Sequence, residues 1–206
     1  MSEEILFYHN PRSRAQMAHW MLEEVGTPYR ILPVDFAKGE NRTPEFLAVN
    51  PMGKLPAIVH DGTVVTETGA IIAYLADAFP EAGLAPAPGD KARGTYLRWL
   101  FFGAGCFEPA LLDRMLQRPP IAQERKAAVA WGSYEEVLHA LATMLDPGPY
   151  VLGDRFSAAD VYLGAELSWA GMFGAPGVKD NPVFDAYVAR VAARPAYART
   201  MGGQGT

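Results

Sequence analysis

Residues 50–75 read NPMGKLPAIVHDGTVVTETGAIIAYL, and the punctuation of this stretch decides the fold. Asp61-Gly62 sits between two short runs rich in β-branched residues, the strongest short-range signal for a tight hairpin. The strands it joins are LPAIVH and TVVTE. Pro56 stands at the start of the first, where a missing N–H does least harm to a ladder. Residues 67–79, ETGAIIAYLADAF, are then apolar almost all round, which predicts a helix buried on more than one side.

Working outward toward the N-terminus, EILFY is a short, mostly apolar strand. From Ser13 to Val25 the apolar residues Ala15, Ala18, Leu22 and Val25 keep helical spacing, and Gly26 ends the helix. YRILPV reads as a second strand whose proline places it at an edge or a strand end. TPEFLAVN is a short helix, with Thr43 as cap and Pro44 in the first helical position. The order βαβαββα is that of an α/β domain resembling thioredoxin.

Toward the C-terminus, residues 80–90, PEAGLAPAPGD, are rich in proline, glycine and alanine and contain the linker, set at 81–90. The expected domains are therefore 1–80 and 91–206, the second all-α. In 121–145 the series Ala127, Trp131, Tyr134, Leu138, Leu141, Leu145 alternates steps of four and three, the pattern of one amphipathic helix. FSAADVYLGAELSWAGMF opens with Ser157 and Asp160 spaced as a capping box, so Asp160 reads as a cap. NPVFDAYVARVAARP is a further helix, begun by Pro182 and closed by Arg194-Pro195. Pro109 falls inside the pattern of the first long helix of this domain and should kink or end it.

Composition limits the function classes. The net charge of −5 argues against a nucleic-acid surface, and half of the 206 residues are hydrophobic, as in ordinary globular chains. MSEEILF opens acidic without a long apolar stretch, so no secretory leader is expected, and no run is long enough to span a membrane. A cytoplasmic protein is expected. One cysteine, Cys106, allows no internal disulfide or cysteine metal cluster, and His9, His19, His60 and His139 show no metal-ligand spacing. No metal is expected.

Asn50-Pro51, Gly53, Leu55-Pro56, Glu67-Thr68 and Ile72–Leu75, together with SAADVYL, resemble the motifs of the cytosolic glutathione S-transferases in order and spacing. The resemblance spans nearly the whole chain. It implies glutathione as co-substrate, a small hydrophobic electrophile as second substrate, a homodimer and a role in detoxification. It further implies that Pro56 is cis, that Leu55 offers its backbone to the cysteinyl part of glutathione, and that Glu67 and Thr68 receive the γ-glutamyl end. Lys54 suits the glycyl carboxylate. Phe102 and Cys106, in the helix that borders the co-substrate pocket in this family, are the candidates to line it.

The loop FYHNPRSRAQ, residues 7–16, supplies the chemistry on this reading. Arg14 stands where cysteine-type bacterial members carry their cysteine, so the chain resembles a bacterial enzyme of the serine type. Glutathione brings its own thiol, and the thiolate is the nucleophile. Ser13 can donate a hydroxyl hydrogen bond to that sulfur, helped by the helix start and by Arg12 or Arg14. Asn10 and Tyr8 are alternative donors, and Ser13 as a simple helix cap is the alternative to catalysis. The expected reaction is thiolate attack on an electrophilic carbon. Isomerisation, dehalogenation, peroxide reduction or disulfide reduction would use the same thiolate, and a non-catalytic binding module would keep the motifs without sulfur activation.

Overall fold

The computed structural model describes residues 4–202; residues 1–3 and 203–206, the outer ends of the two expected domains, lie outside the described residues. The chain divides into two compact units. One holds the described residues through Ala82 together with those from Pro195 onward, and the other runs from Gly83 to Arg194.

In the first unit, β1 (Ile5–His9), α1 (Ala15–Val25), β2 (Tyr29–Pro33), α2 (Pro44–Val49), β3 (Ala57–His60), β4 (Thr63–Thr66) and α3 (Thr68–Ala78) follow in that order. The sheet order is β2-β1-β3-β4, with β1 parallel to β2 and antiparallel to β3. Alternation along β1 assigns the two faces. Phe7 is fully buried and meets His19 of α1, while the Tyr8 ring packs edge-on to Phe46 of α2 at 5.5 Å. Asp61 and Gly62 both take positive φ (48° and 75°), the conformation a two-residue hairpin needs. Pro33 ends the edge strand β2, and Thr43 caps α2 by accepting from the Phe46 N–H.

Three elements differ from expectation. Helix α3 buries Thr68, Ile71, Ile72, Leu75 and Ala76, one stripe rather than several sides, because its other apolar residues are mostly alanine and need little cover. The helix expected across 121–145 begins only at Tyr134. Gly132 takes φ 62°, Ser133 caps α6 (Tyr134–Leu145), and Gln123–Ala128 forms a separate 3-10 turn. The last helix, α9 (Pro195–Thr200), belongs to the first unit although the expected helical domain ran to 206. There Trp20 of α1 meets Tyr197 at 4.9 Å, and Gln16 Nε2 donates to Thr200 O at 3.1 Å.

The second unit is all-helical. Chain 83–90, expected mainly as linker, is fastened to it: the Ala158 N–H donates to Leu84 O (2.8 Å) and Arg93 donates to Pro86 O (2.7 Å). Helix α4 (Ala92–Phe102) passes through a π-helical turn, Gly103–Phe107, into α5 (Glu108–Met115). Pro109 lies in the first turn of α5, and the regular α-helix before it ends at Phe102. The widened turn takes up a residue that lacks an N–H and whose ring would crowd the preceding turn. Helix α7 (Ala158–Met172) is buried along most of its length. At its start the Asp160 carboxylate accepts from the N–H groups of Val151 (2.8 Å) and Ser157 (2.9 Å) and from the Tyr187 hydroxyl (3.0 Å). Burial nevertheless pushes the Asp160 carboxyl above its usual range. Helix α8 (Pro182–Ala192), capped by Asn181, closes the unit.

Between β1 and α1 lies a pair of half-buried imidazoles. The His9 Nε2–H donates to Gln16 Oε1 (2.6 Å), the His19 Nε2–H to the Tyr29 hydroxyl (2.8 Å), and Tyr29 in turn to Glu23 (2.6 Å). The two rings stand 5.3 Å apart. Burial lowers the pKa of both, and the nearness of His9 lowers that of His19 further, against a smaller opposing pull from Glu23. Unfolded, each titrates near 6.5. Between that value and the lowered folded ones the unfolded chain binds more protons, so stability rises with pH. The contribution of the neutral pair is complete above about pH 6.5 and is lost as pH falls through the folded values. We expect the urea midpoint to drop between about pH 7.5 and 5.5, and to drop less in His19→Gln. A midpoint equally pH-dependent in both proteins would assign the loss to other groups.

Candidate functional site

The turn after β1 is built on Asn10. Its Nδ2 donates to Val34 O at 2.8 Å, tying the end of β1 to the end of β2, and its Oδ1 accepts from the Arg12 N–H at 2.9 Å. Its carbonyl accepts twice from Ser13, from the N–H at 3.1 Å and from the hydroxyl at 2.7 Å. The Ala15 N–H donates to Ser13 Oγ at 3.2 Å, while Arg14 holds the cap position of α1 without a side-chain cap bond. Ser13 is thus half-buried at the helix start, with its hydroxyl hydrogen on a local carbonyl. The Arg12 side chain is exposed. Tyr8 is a packing residue against Phe46.

The second segment, 50–56, is held by polar side chains beneath it. Asn50, only 2% exposed, donates to Lys54 O (2.9 Å) and accepts from the Met52 N–H (3.0 Å). From the preceding turn Asn41 donates to Gly53 O (2.9 Å) and Arg42 to Met52 O (3.3 Å). Gly53 takes φ 62°, and a Cβ there would stand 2.7 Å from the Arg42 guanidinium and 2.8 Å from Asn41 O, so no side chain fits. Lys54 points to solvent, Leu55 is buried, and the Leu55–Pro56 peptide is cis. Among the described residues the main chain of Leu55 makes no backbone hydrogen bond.

The third segment leaves β4. Glu67 is exposed and adopts φ 66°, ψ 122°, a conformation costly for any residue with a Cβ, of order 1–3 kcal/mol. The Ile71 N–H is the first to find an intrahelical carbonyl, Glu67 O at 2.9 Å. The earlier N–H groups of α3 therefore point out of its N-terminus, beside the nearly buried Thr68.

Sheet register brings the three segments together. Ala57 pairs with Tyr8 on one side and with Thr66 on the other. One step beyond the ladder, Pro56 and Leu55 therefore lie between the His9–Asn10 end of β1 and the Glu67–Thr68 start of α3. Backbone donors, a carboxylate, hydroxyls and a cation thus edge one end of the sheet, a set suited to a zwitterionic peptide. Phe102 and Cys106 belong to the second unit. Phe102 packs edge-on to Trp99 at 4.9 Å, and the Cys106 thiol donates to Ala130 O at 3.5 Å, its pKa raised by burial. Among the described residues no three His, Cys, Asp or Glu side chains are grouped to hold a metal ion.

Residues 3–77 match the glutathione S-transferase N-terminal domain and residues 111–195 the glutathione S-transferase C-terminal domain. The chain is 31% identical over 189 residues to glutathione S-transferase 3 of Zea mays, a match covering 88% of this chain and 85% of the relative. The chain belongs to the glutathione S-transferase family. It is also 30% identical to the disulfide-bond oxidoreductase YfcG of Escherichia coli K12, over 75% of this chain and 74% of that one. A sphingomonad glutathione S-transferase solved with glutathione superposes with a TM-score of 0.76 at 34% identity, covering 97% of this chain and 98% of the other.

Asn41, Arg42 and the anchoring role of Asn50 are not among the features that the sequence singles out. Asn50 stands within the family motif, but only the fold shows that its amide clasps the loop. Asn41 and Arg42 act from a separate turn and leave no local signal. Asn50→Ala should cost about 2–3 kcal/mol, since a buried amide with two partners is removed and those partners are stranded. Urea denaturation of the variant beside the unaltered protein checks this cost. At Glu67, Gly and Ala both delete the carboxylate, but only Gly also relieves the positive φ. Glu67→Gly should therefore exceed Glu67→Ala in stability by about 1 kcal/mol, measured in parallel melts.

Proposed function

We propose that the protein is a serine-type glutathione transferase that attacks small hydrophobic electrophiles with the thiolate of bound glutathione. The observation carrying this reading is the register that gathers the Asn10–Ser13 turn, Leu55-Pro56 and Glu67-Thr68 at one sheet end. The cysteinyl main chain of glutathione pairs with the unpartnered main chain of Leu55, as an added strand would. The γ-glutamyl carboxylate meets the first N–H groups of α3 and the Thr68 hydroxyl, and its ammonium meets Glu67. Lys54 and Arg12, both exposed, act on the ligand as solvent-screened charges. Asn10 serves the site by holding its turn. Phe102 and Cys106 contribute to the electrophile pocket, Cys106 as a protonated apolar thiol and not as a nucleophile.

Ser13 donates to the sulfur after turning its hydroxyl away from Asn10 O. A charge-assisted hydrogen bond is worth about 1.5–3 kcal/mol and the neutral bond given up about 0.5–1.5, a net of about 1 kcal/mol. The α1 start adds up to about 1 kcal/mol. Together these lower a thiol of pKa about 8.5 by roughly one to one and a half units, enough to make a large thiolate fraction at neutral pH. The thiol proton passes to solvent. The thiolate pair forms the bond to carbon, and the leaving group departs with its own pair. The family resemblance supports a cytoplasmic homodimer acting in detoxification. Among the described residues no helix is long and apolar enough to cross a membrane.

Disulfide reduction is the second reading, favoured by the likeness to YfcG. There the thiolate would attack one sulfur of a disulfide and expel the other as thiolate; a second glutathione would then resolve the mixed disulfide. Thiolate absorbance of the glutathione complex against pH, with conjugation of an activated chloronitrobenzene, tests the first reading. Ser13→Ala should raise the bound thiol pKa by about one unit with little change in affinity. An unmoved pKa removes Ser13 from catalysis. Turnover of a mixed disulfide without turnover of the aryl halide selects the reductase.

A further inference from the structure

The helical unit contains a cavity of about 180 Å³ where the end of α5, the 119–121 segment and the start of α6 meet. None of the residues that the proposed transferase chemistry uses lines it, Phe102 and Cys106 included. Its walls combine two kinds of surface. Trp131, the Tyr134 ring and Pro119–Pro120 are flat and largely apolar, while Arg114, Arg118 and Lys126 bring three cations to the same space.

Each cation retains unused donor capacity. The Arg114 guanidinium lies 5.9 Å from the centre of the Tyr134 ring, at the outer limit of a cation–π contact, and makes no ion pair among the described residues. Arg118 reaches Asp113 through a single nitrogen, Nη1, at 2.8 Å, which leaves most of its fork open. The Lys126 side chain is only 29% exposed, low for a lysine. Its nearest carboxylate, Glu136, lies at 3.8 Å, beyond hydrogen-bond range. Among the described residues its ammonium makes no hydrogen bond. Two carboxylates, Asp113 and Glu135, also border the cavity, the first engaged by Arg118 and the second uncompensated. Tyr134 adds an apolar wall and not a charge: its hydroxyl donates to Pro176 O at 2.8 Å, and burial pushes its pKa up to about 12.

We infer that this cavity is a second ligand site, one that takes a single-ring aromatic carboxylate. Size supports one ring, because a dry cavity of about 150 Å³ accommodates benzene. Stacking walls select a planar apolar body, and the cations select an anionic end. Arg114 and Lys126 are the anchors, since neither is committed to a carboxylate at hydrogen-bond distance. The cavity shares no residue with the proposed glutathione contacts.

The probe is benzoate, with benzamide as its uncharged counterpart, titrated against the full-length protein by Trp fluorescence and ligand-observed NMR. Benzoate should bind saturably and at least about tenfold more tightly than benzamide. Arg114→Met and Lys126→Met should each weaken benzoate by about tenfold while leaving benzamide and glutathione affinity unchanged. Trp131→Phe should abolish the fluorescence response and preserve the NMR signal. Equal binding of benzoate and benzamide, an unchanged benzoate affinity in both Met variants, or no saturable binding would overturn the inference. Because glutathione titration of the same variants is read separately, failure here is distinct from failure of the transferase reading.

Discussion

Ala57 is paired on both sides of its strand, opposite Tyr8 and opposite Thr66, and the candidate site depends on that double pairing. A slip of one residue between β1 and β3 would turn the buried face of each strand outward, so burial of Phe7 and Ile58 fixes the register. Once it is fixed, the ends of β1, β3 and β4 fall side by side. Three segments far apart in sequence are delivered to one place by strand pairing. The hairpin supports this from the far end: with only Asp61 and Gly62 to turn in, β4 has no freedom to shift against β3.

What pairing does not provide is the conformation of the segments beyond the ladder, and there the chain spends polar side chains. Asn10 spans Val34 and Arg12, and Asn50 spans Met52 and Lys54. Each asparagine has both an acceptor and a donor to offer, so one side chain closes a turn at two points. These amides organise the main chain, which leaves the backbone groups of Leu55 and of the α3 start without backbone partners. Glu67 carries a backbone cost of its own, a non-glycine residue held at positive φ at the helix entry.

The hairpin, the four strands and the helix caps at Thr43 and Ser157 were legible because each rests on local chemistry within a few residues. The long helix expected over 121–145 failed for a related reason. Apolar spacing from Ala127 to Leu145 is helical on paper, but Gly132 and Ser133 offered a local stop and cap that outweighed it. The place of α9 was not legible at all. Its attachment rests on Trp20 against Tyr197 and Gln16 against Thr200, partners some 180 residues apart, which no window along the sequence contains. At the site, the segments were legible as motifs and the supports were not. Asn41 and Arg42 act through one side-chain bond each to a distant loop carbonyl, and such bonds leave no periodicity to read.

The Ser13 hydroxyl stands next to the start of α1. Its hydrogen rests on the Asn10 carbonyl, and that carbonyl keeps the Ser13 N–H when the hydroxyl turns away, so no buried acceptor is stranded by the change. A neutral thiol is a weak acceptor and would not draw the hydroxyl off a good carbonyl, whereas a thiolate would, because a bond to an anion is roughly twice as strong as a neutral one. On the proposed reading the serine therefore discriminates between the two protonation states of glutathione. Its stabilisation falls on the reactive form and leaves the bound thiol almost untouched. The gain is a larger population of the nucleophile at neutral pH, since the thiolate and not the thiol attacks. A permanently free donor at this place would bind both forms and achieve less.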